Sequence, residues 1–325
     1  MNRIHYKKTT SHKHKRQHRK KRILLCFFLI ITLTVFILGV TFISSLSGFS
    51  TNESRPSQTV DLNDLYSPHA ILTDLDSGNV LGAHNEKEKI YPASLTKIMT
   101  AVLAIEHTKD LNEWMTMPVD IFQELYEENA SMAGFQPGEN VNLKDLLYGI
   151  LLPSGAECCL AFAERAAGSE EAFIDMMNEK AKEIGMDHTH FRNTTGLHDP
   201  EHYSTVKDIS ILLQYALKNE TFKSAFTASR YTTLPSDQHP DGITFYSTMF
   251  QNMDAATVTG GEITGGKTGY TPEAGLCLAS TAVVNGRNYM LVTAKASGSH
   301  DTAQFHILDA VHVYDQTGQV IDIGN

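Results

Sequence analysis

Short strand-like runs at residues 70–75 and 80–84 flank Asp76-Ser77-Gly78-Asn79, a tetrapeptide of turn formers; the pattern predicts a β-hairpin. The period then becomes helical. Residues 94–105 are apolar apart from Ser94, Thr96, Lys97 and Thr100, which suits a short helix buried in the middle of a domain. Further helical stretches follow at 143–152, 155–167, 169–184 and 205–217. In 169–184, Phe173, Met176, Met177, Ala181 and Ile184 recur on one face and read as a core stripe. Thr205, with Asp208 three residues on, has the form of a capping box for the last helix. Strand character returns at 262–267, 276–284 and 289–296, the latter two joined through Asn285-Gly286, a second hairpin turn. A helix at about 303–314 closes the pattern. Strands at both ends with helices between predict one α+β unit whose antiparallel sheet is assembled from distant segments.

The first sixty residues follow other rules. Residues 23–43 form a run of 21 without a charge, long enough at ~1.5 Å per residue to span the core of a bilayer. A signal peptide would have a shorter apolar stretch ending in small residues, for which Ser45-Leu46-Ser47 is a weak candidate. Residues 1–22 carry ten Lys or Arg and no acid. Charge of that kind directly before an apolar span orients it with the N-terminus in the cytoplasm, so the reading is a signal anchor and not a nucleic-acid-binding tail. Residues 44–63 are rich in Ser and Thr, contain Pro56 and lack apolar periodicity, as a flexible stem would. The expected organisation is a basic cytoplasmic tail (1–22), a transmembrane anchor (23–43), a stem (44–63) and an extracytoplasmic domain (64–325). The whole chain has a net charge of −10; with +10 in the tail, the remainder carries −20, so nothing draws the domain electrostatically to an anionic polymer.

The four cysteines are Cys26, Cys158, Cys159 and Cys277. Their spacing fits neither a disulfide framework nor a metal site, and they read as small buried apolar residues. No His-Glu-x-x-His or paired Cys-x-x-Cys occurs, so neither a metal nor a cofactor is implied. His188-Thr189-His190 reads as surface or core decoration.

Chemistry concentrates in two segments 170 residues apart, Ser94-Leu95-Thr96-Lys97 and Lys267-Thr268-Gly269. A serine hydroxyl needs a base within hydrogen-bond reach, and a lysine three residues on along a helix provides one. The pattern recurs at Ser204-Thr205-Val206-Lys207, where Ser and Thr are expected as helix caps.

Pro92-Ala93-Ser94-Leu95-Thr96-Lys97-Ile98-Met99-Thr100 resembles the active-site serine segment of serine-type D-alanyl-D-alanine carboxypeptidases, the low-molecular-mass penicillin-binding proteins. Gly266-Lys267-Thr268-Gly269-Tyr270-Thr271 is similar to that family's third motif. The stretch from Phe191 to Pro200, followed by His202-Tyr203-Ser204-Thr205, resembles another segment particular to it. The middle motif departs: where the family has Ser-x-Asn, this chain has Ser154-Gly155-Ala156, then Glu157.

The resemblance implies a penicillin-binding-protein and β-lactamase-like fold, an antiparallel sheet flanked by helices with a helical subdomain. It implies Ser94 as nucleophile, Lys97 as its base and Ser154 as proton relay. Lys267 would hold a terminal carboxylate with Thr268, Gly269 would admit the substrate close to the strand, and the backbone N–H groups of Ser94 and Tyr270 would form an oxyanion hole. The implied substrates are peptidoglycan stem peptides ending in D-Ala-D-Ala, with β-lactams as covalent inhibitors. Two alternatives stand beside this. A β-lactamase lacks support because no Glu-x-x-Leu-Asn segment occurs, whereas a non-catalytic muropeptide- or β-lactam-binding sensor is kept open by Ala156.

Overall fold

The structure, a computed structural model, describes residues 60–322. In chain order its elements are β1 (His69–Asp74), β2 (Val80–His84), α1 (Lys97–Glu106), β3 (Trp114–Thr116), α2 (Ile121–Glu127), β4 (Asn140–Asn142), α3 (Leu143–Leu151), α4 (Ala156–Ala167) and α5 (Glu170–Ile184). There follow α6 (Val206–Ala216), α7 (Glu220–Phe226), β5 (Arg230–Thr232), β6 (Thr244–Tyr246), α8 (Thr248–Gln251), β7 (Thr257–Val258), β8 (Gly261–Thr271), β9 (Gly275–Val284), β10 (Arg287–Ala296) and α9 (Phe305–Asp322).

A six-stranded antiparallel sheet of order β2-β1-β10-β9-β8-β7 joins the two ends of the domain. The closing contact is β1 against β10, with His69 opposite Ala294 and Asp74 opposite Tyr289. Side chains alternate across the sheet, and both faces are covered. Met290, Val292 and Ala294 of β10 enter the larger core with α1 and the helices around it, while Tyr289 and Leu291 enter a second core under α9. Burial on both faces is why β9 and β10 read as nearly continuous apolar runs. The Tyr314 hydroxyl on α9 donates to the Ser280 carbonyl at 3.0 Å, fastening helix to sheet.

The helical subdomain is organised around α1, whose residues from Lys97 to Ala104 are all buried. Helices α3, α5 and α6 start on side-chain caps: Asn142 accepts from Lys144 N–H, Ser169 from Ala172 N–H and Thr205 from Asp208 N–H, each supplying an acceptor to a donor the helix leaves free. Thr205 thus caps α6 as expected, and Lys207 of the second Ser-x-x-Lys is exposed.

The α+β class, both hairpins and the five central helices match the sequence pattern. Four features differ. The short pairs β3–β4 and β5–β6 and the short helices α2, α7 and α8 carry too few positions to show a period. Strand β8 continues past Lys267 to Thr271, its glycines obscuring a strand that pairing with β9 enforces from Gly261↔Val284 to Thr271↔Gly275. Helix α9 runs through Gly318, which lies against the Thr259 carbonyl. Packing begins at Val60, inside the segment read as stem: Val60 and Leu62 are buried, and Val60 N–H donates to the Leu81 carbonyl at 2.9 Å. Among the described residues no helix is long and apolar enough to cross a membrane; the run at 23–43 lies outside them. Cys158, Cys159 and Cys277 are free and buried.

Candidate active site

Ser94 lies in a 3₁₀ turn, Ala93–Thr96, that runs directly into α1 at Lys97. In a 3₁₀ turn side chains at i and i+3 eclipse, so the lysine is stacked on the serine: Lys97 Nζ and Ser94 Oγ are 3.1 Å apart and hydrogen-bonded. Lys97 is 2% exposed. Its burial holds the ammonium below its usual pKa, an effect partly opposed by Cys159, Glu157 and Cys158. A lysine so placed gives up its proton more readily than one in water, which is what a base for a hydroxyl requires.

The turn has a back plate that the sequence motif did not explain. Gly196, at φ +85°, is pressed so close that a Cβ there would sit 1.9 Å from the Ala93 carbonyl oxygen. Asn193 Oδ1 accepts from the Gly196 N–H at 2.7 Å, shaping the loop. Thr100 Oγ donates to the Thr194 carbonyl at 2.6 Å. His202, 2% exposed, accepts the Arg192 N–H at Nδ1, 3.2 Å, so its other nitrogen carries the hydrogen and donates to Thr96 Oγ at 2.8 Å. Burial lowers the His202 pKa to about 4, keeping the ring neutral in this role. The stretch from Phe191 to Thr205 is therefore the support of the turn that carries Ser94.

Ser154 sits between α3 and α4 at φ +69°, buried, its hydroxyl without a hydrogen-bond partner among the described residues. It borders a cleft of about 100 Å³ together with Ser94, Thr268, Gly269 and Tyr270. Ala156, two residues on, is buried and is not among the residues that border the cleft.

Strand β8 forms the opposite wall. A Cβ on Gly269 would lie 3.0 Å from the Ser94 nitrogen and 3.2 Å from the Pro92 carbonyl oxygen, so only a bare backbone lets strand and turn meet. Thr268 Oγ shares a 2.6 Å hydrogen bond with Thr248 Oγ. Lys267 is 1% exposed and does not border the cleft; its Nζ donates to the Thr268 carbonyl at 2.9 Å. Burial, reinforced by the Lys97 charge, holds its pKa well below the usual value. The other cleft residues were not singled out in the sequence, among them Ser131, Thr248, His300 and His306. They lie on short loops and helix ends without a motif. His306 is 1% exposed with Nδ1 unpartnered among the described residues. A larger cavity of about 280 Å³ lies near Lys218, Lys223 and Tyr289 and includes none of the sequence-derived site residues.

The arrangement is a serine–lysine pair at the head of a buried helix, a third hydroxyl bordering the same cleft and a Lys-Thr-Gly segment paired with β9. Residues 53–298 match the D-alanyl-D-alanine carboxypeptidase family model. The chain belongs to this family. Among curated members, D-alanyl-D-alanine carboxypeptidase DacF of Bacillus subtilis is 36% identical over 214 residues, 66% of this chain and 53% of DacF. D-alanyl-D-alanine carboxypeptidase DacC of Escherichia coli is 31% identical over 231 residues, 69% of this chain and 55% of DacC. The chain thus spans about half the length of these relatives. The fold matches the crystal structure of the Streptomyces K15 DD-transpeptidase with a TM-score of 0.70 at 24% identity, over 79% of this chain and 100% of that one. Ser94, Lys97, Ser154, Ala156 and Lys267-Thr268-Gly269 all fall within the residues matched to the carboxypeptidase family.

Proposed function

We propose that this chain is a membrane-anchored serine carboxypeptidase that removes the terminal D-alanine from peptidoglycan stem peptides and is acylated by β-lactams. The observation that carries the reading is the 3.1 Å contact between Ser94 Oγ and the buried, pKa-lowered Lys97 Nζ. Neutral Lys97 accepts the Ser94 proton as the oxygen attacks the carbonyl carbon between the last two D-alanines. The charge that develops on the carbonyl oxygen is met by the Ser94 and Tyr270 backbone N–H groups. The C–N bond then breaks, and the departing nitrogen keeps the electron pair and takes a proton by way of Ser154. Water attacks the resulting ester, its proton passes to Lys97, and the ester C–O bond breaks to return Ser94 as the free hydroxyl. In a β-lactam the same attack opens the ring amide, and the leaving nitrogen stays tethered.

Thr268, which borders the cleft with the Lys267 amino group bonded to its carbonyl, is the proposed reader of the substrate's terminal carboxylate. Residues 23–43 are the proposed single-span anchor, with the catalytic domain outside the cell membrane; their apolar length and the basic residues before them support this. D-alanine release from a peptide ending in D-Ala-D-Ala tests the activity. The parent should turn over the free acid and cleave the C-terminal amide poorly, and Ser94→Ala should lose more than about 10³-fold in rate. Equal cleavage of acid and amide would remove the carboxylate role, and equal rates in parent and Ser94→Ala would remove the mechanism.

A further inference from the structure

The cleft wall opposite β8 is made of two loops pressed together. Ala156 N–H donates to the Ser131 carbonyl at 2.7 Å, and Gly155 N–H donates to the Gly149 carbonyl at 2.8 Å. Two residues beyond Ser131, the Ala133 and Gly134 N–H groups both donate to Glu157 Oε1, at 2.7 and 2.9 Å. A Cβ on Gly155 would lie 2.7 Å from the Ala133 methyl, so the loops touch without a gap. Three hydrogen bonds therefore fasten the Ser131 loop to the turn that carries Ser154 and Ala156. The backbone donors of Ala133, Gly134, Gly155 and Ala156 are all used inside the protein.

A peptide lying along the β8 edge has polar groups on both sides, and those facing this wall lose their water on binding. Ala156 has no side-chain donor and its N–H is taken by Ser131, and the Ser154 hydroxyl serves proton transfer in the proposed mechanism. Ser131 is exposed and borders the cleft with Ser94 and Ser154. Its carbonyl is taken by Ala156, which leaves the hydroxyl for a ligand.

We propose that Ser131 is a substrate-contacting residue whose hydroxyl donates to a backbone carbonyl of the bound peptide, and that Glu157 is the positioning residue that holds its loop there. This rests on the peptidase reading of the cleft. Glu157 is fully buried, and burial raises its carboxyl pKa. The clamp needs only one accepting oxygen, so an amide would replace it, whereas a methyl would release the loop.

The test is a double-mutant cycle on D-alanine release and penicillin acylation, with melting temperatures confirming the fold. Ser131→Ala should lose roughly tenfold in kcat/KM, the value of one neutral hydrogen bond, and Ser131→Thr should stay within about threefold of the parent. In an Ala156→Asn background, which adds a side-chain donor to the turn that carries Ser154, Ser131→Ala should lose less than about threefold. Glu157→Gln should resemble the parent and Glu157→Ala should resemble Ser131→Ala. Should Ala156→Asn fail to fold, the Ser131→Ala and Ser131→Thr pair decides alone. An active parent whose Ser131→Ala variant is indistinguishable from it, or an undiminished loss in the Ala156→Asn background, overturns the Ser131 role only. A parent with neither D-alanine release nor an adduct at Ser94 overturns the peptidase reading as well.

Discussion

Ala93 holds φ +45°, a left-handed backbone conformation that a residue with a Cβ adopts at a cost of about 1–3 kcal/mol. The strain persists because Gly196 on one side and Gly269 on the other close around the turn, leaving Ser94 pointed at Lys97. Gly196→Ala therefore cannot be a mild change. It should destabilise the protein by about 1–3 kcal/mol through overpacking and lower kcat/KM by more than the lost stability explains, as read by urea unfolding beside kinetics. His202 couples the same turn to pH. Its folded pKa is about 4 against a usual 6.5, so between these values the unfolded chain binds a proton the folded protein does not. Its contribution is fully present above pH 6.5 and is lost as pH falls toward 4. The stability lost between pH 7 and pH 5 should be smaller in His202→Gln than in the parent by about 2 kcal/mol; identical losses would show that this ring does not titrate as described. The Ser94–Lys97 contact was legible in the sequence because a three-residue spacing on a turn stacks the two side chains, and Thr268 and Gly269 do border the same cleft, though Lys267 does not. The supporting roles of Gly196, His202 and Glu157 were not legible, since each acts across more than twenty residues of chain through contacts with no periodic signature.

At the scale of elements, the sheet was legible where it is buried on both faces and obscure where it meets the site. Strands β9 and β10 announce themselves by apolar runs and an Asn-Gly turn. Strand β8 is rich in glycine, and at Gly269 it approaches the Ser94 turn too closely for a Cβ, so close packing removed the propensity that would have revealed the strand. The assembly of the sheet from distant segments was expected, but the fastening of the segment before β1 to α9 was hidden. Asp309, buried on α9, accepts the Tyr66 and Ser67 N–H groups at 2.9 Å each, 243 and 242 residues away in sequence. These charge-assisted bonds hold the entry to β1 against α9 beside the core of Val60, Leu62 and Leu72. Asp309→Ala leaves both donors without their partner and should lower stability by about 2–3 kcal/mol, with Asp309→Asn recovering part of it. Urea unfolding of the three proteins would show this; an unchanged midpoint in Asp309→Ala would mean that the chain entry is held by packing alone.

The whole molecule divides into a basic, apolar leader of about sixty residues and an acidic enzyme-like domain. The two carry opposite charge, +10 in residues 1–22 against −20 in the remainder, so the proposed anchor is the element that localises the domain. Full-length protein should stay with membranes, and a chain beginning at Gln58 should be released while keeping its activity, by fractionation and N-terminal sequencing. A mature N-terminus near Gly48 would show that the leader is removed. For the proposed catalysis as a whole, the most direct measurement is intact-mass spectrometry after penicillin treatment, with the modified peptide mapped. A Ser94 nucleophile paired with buried Lys97 predicts one covalent penicillin per chain, located on Ser94 and absent in Ser94→Ala. No adduct on the parent, or an adduct that survives in Ser94→Ala, would contradict it.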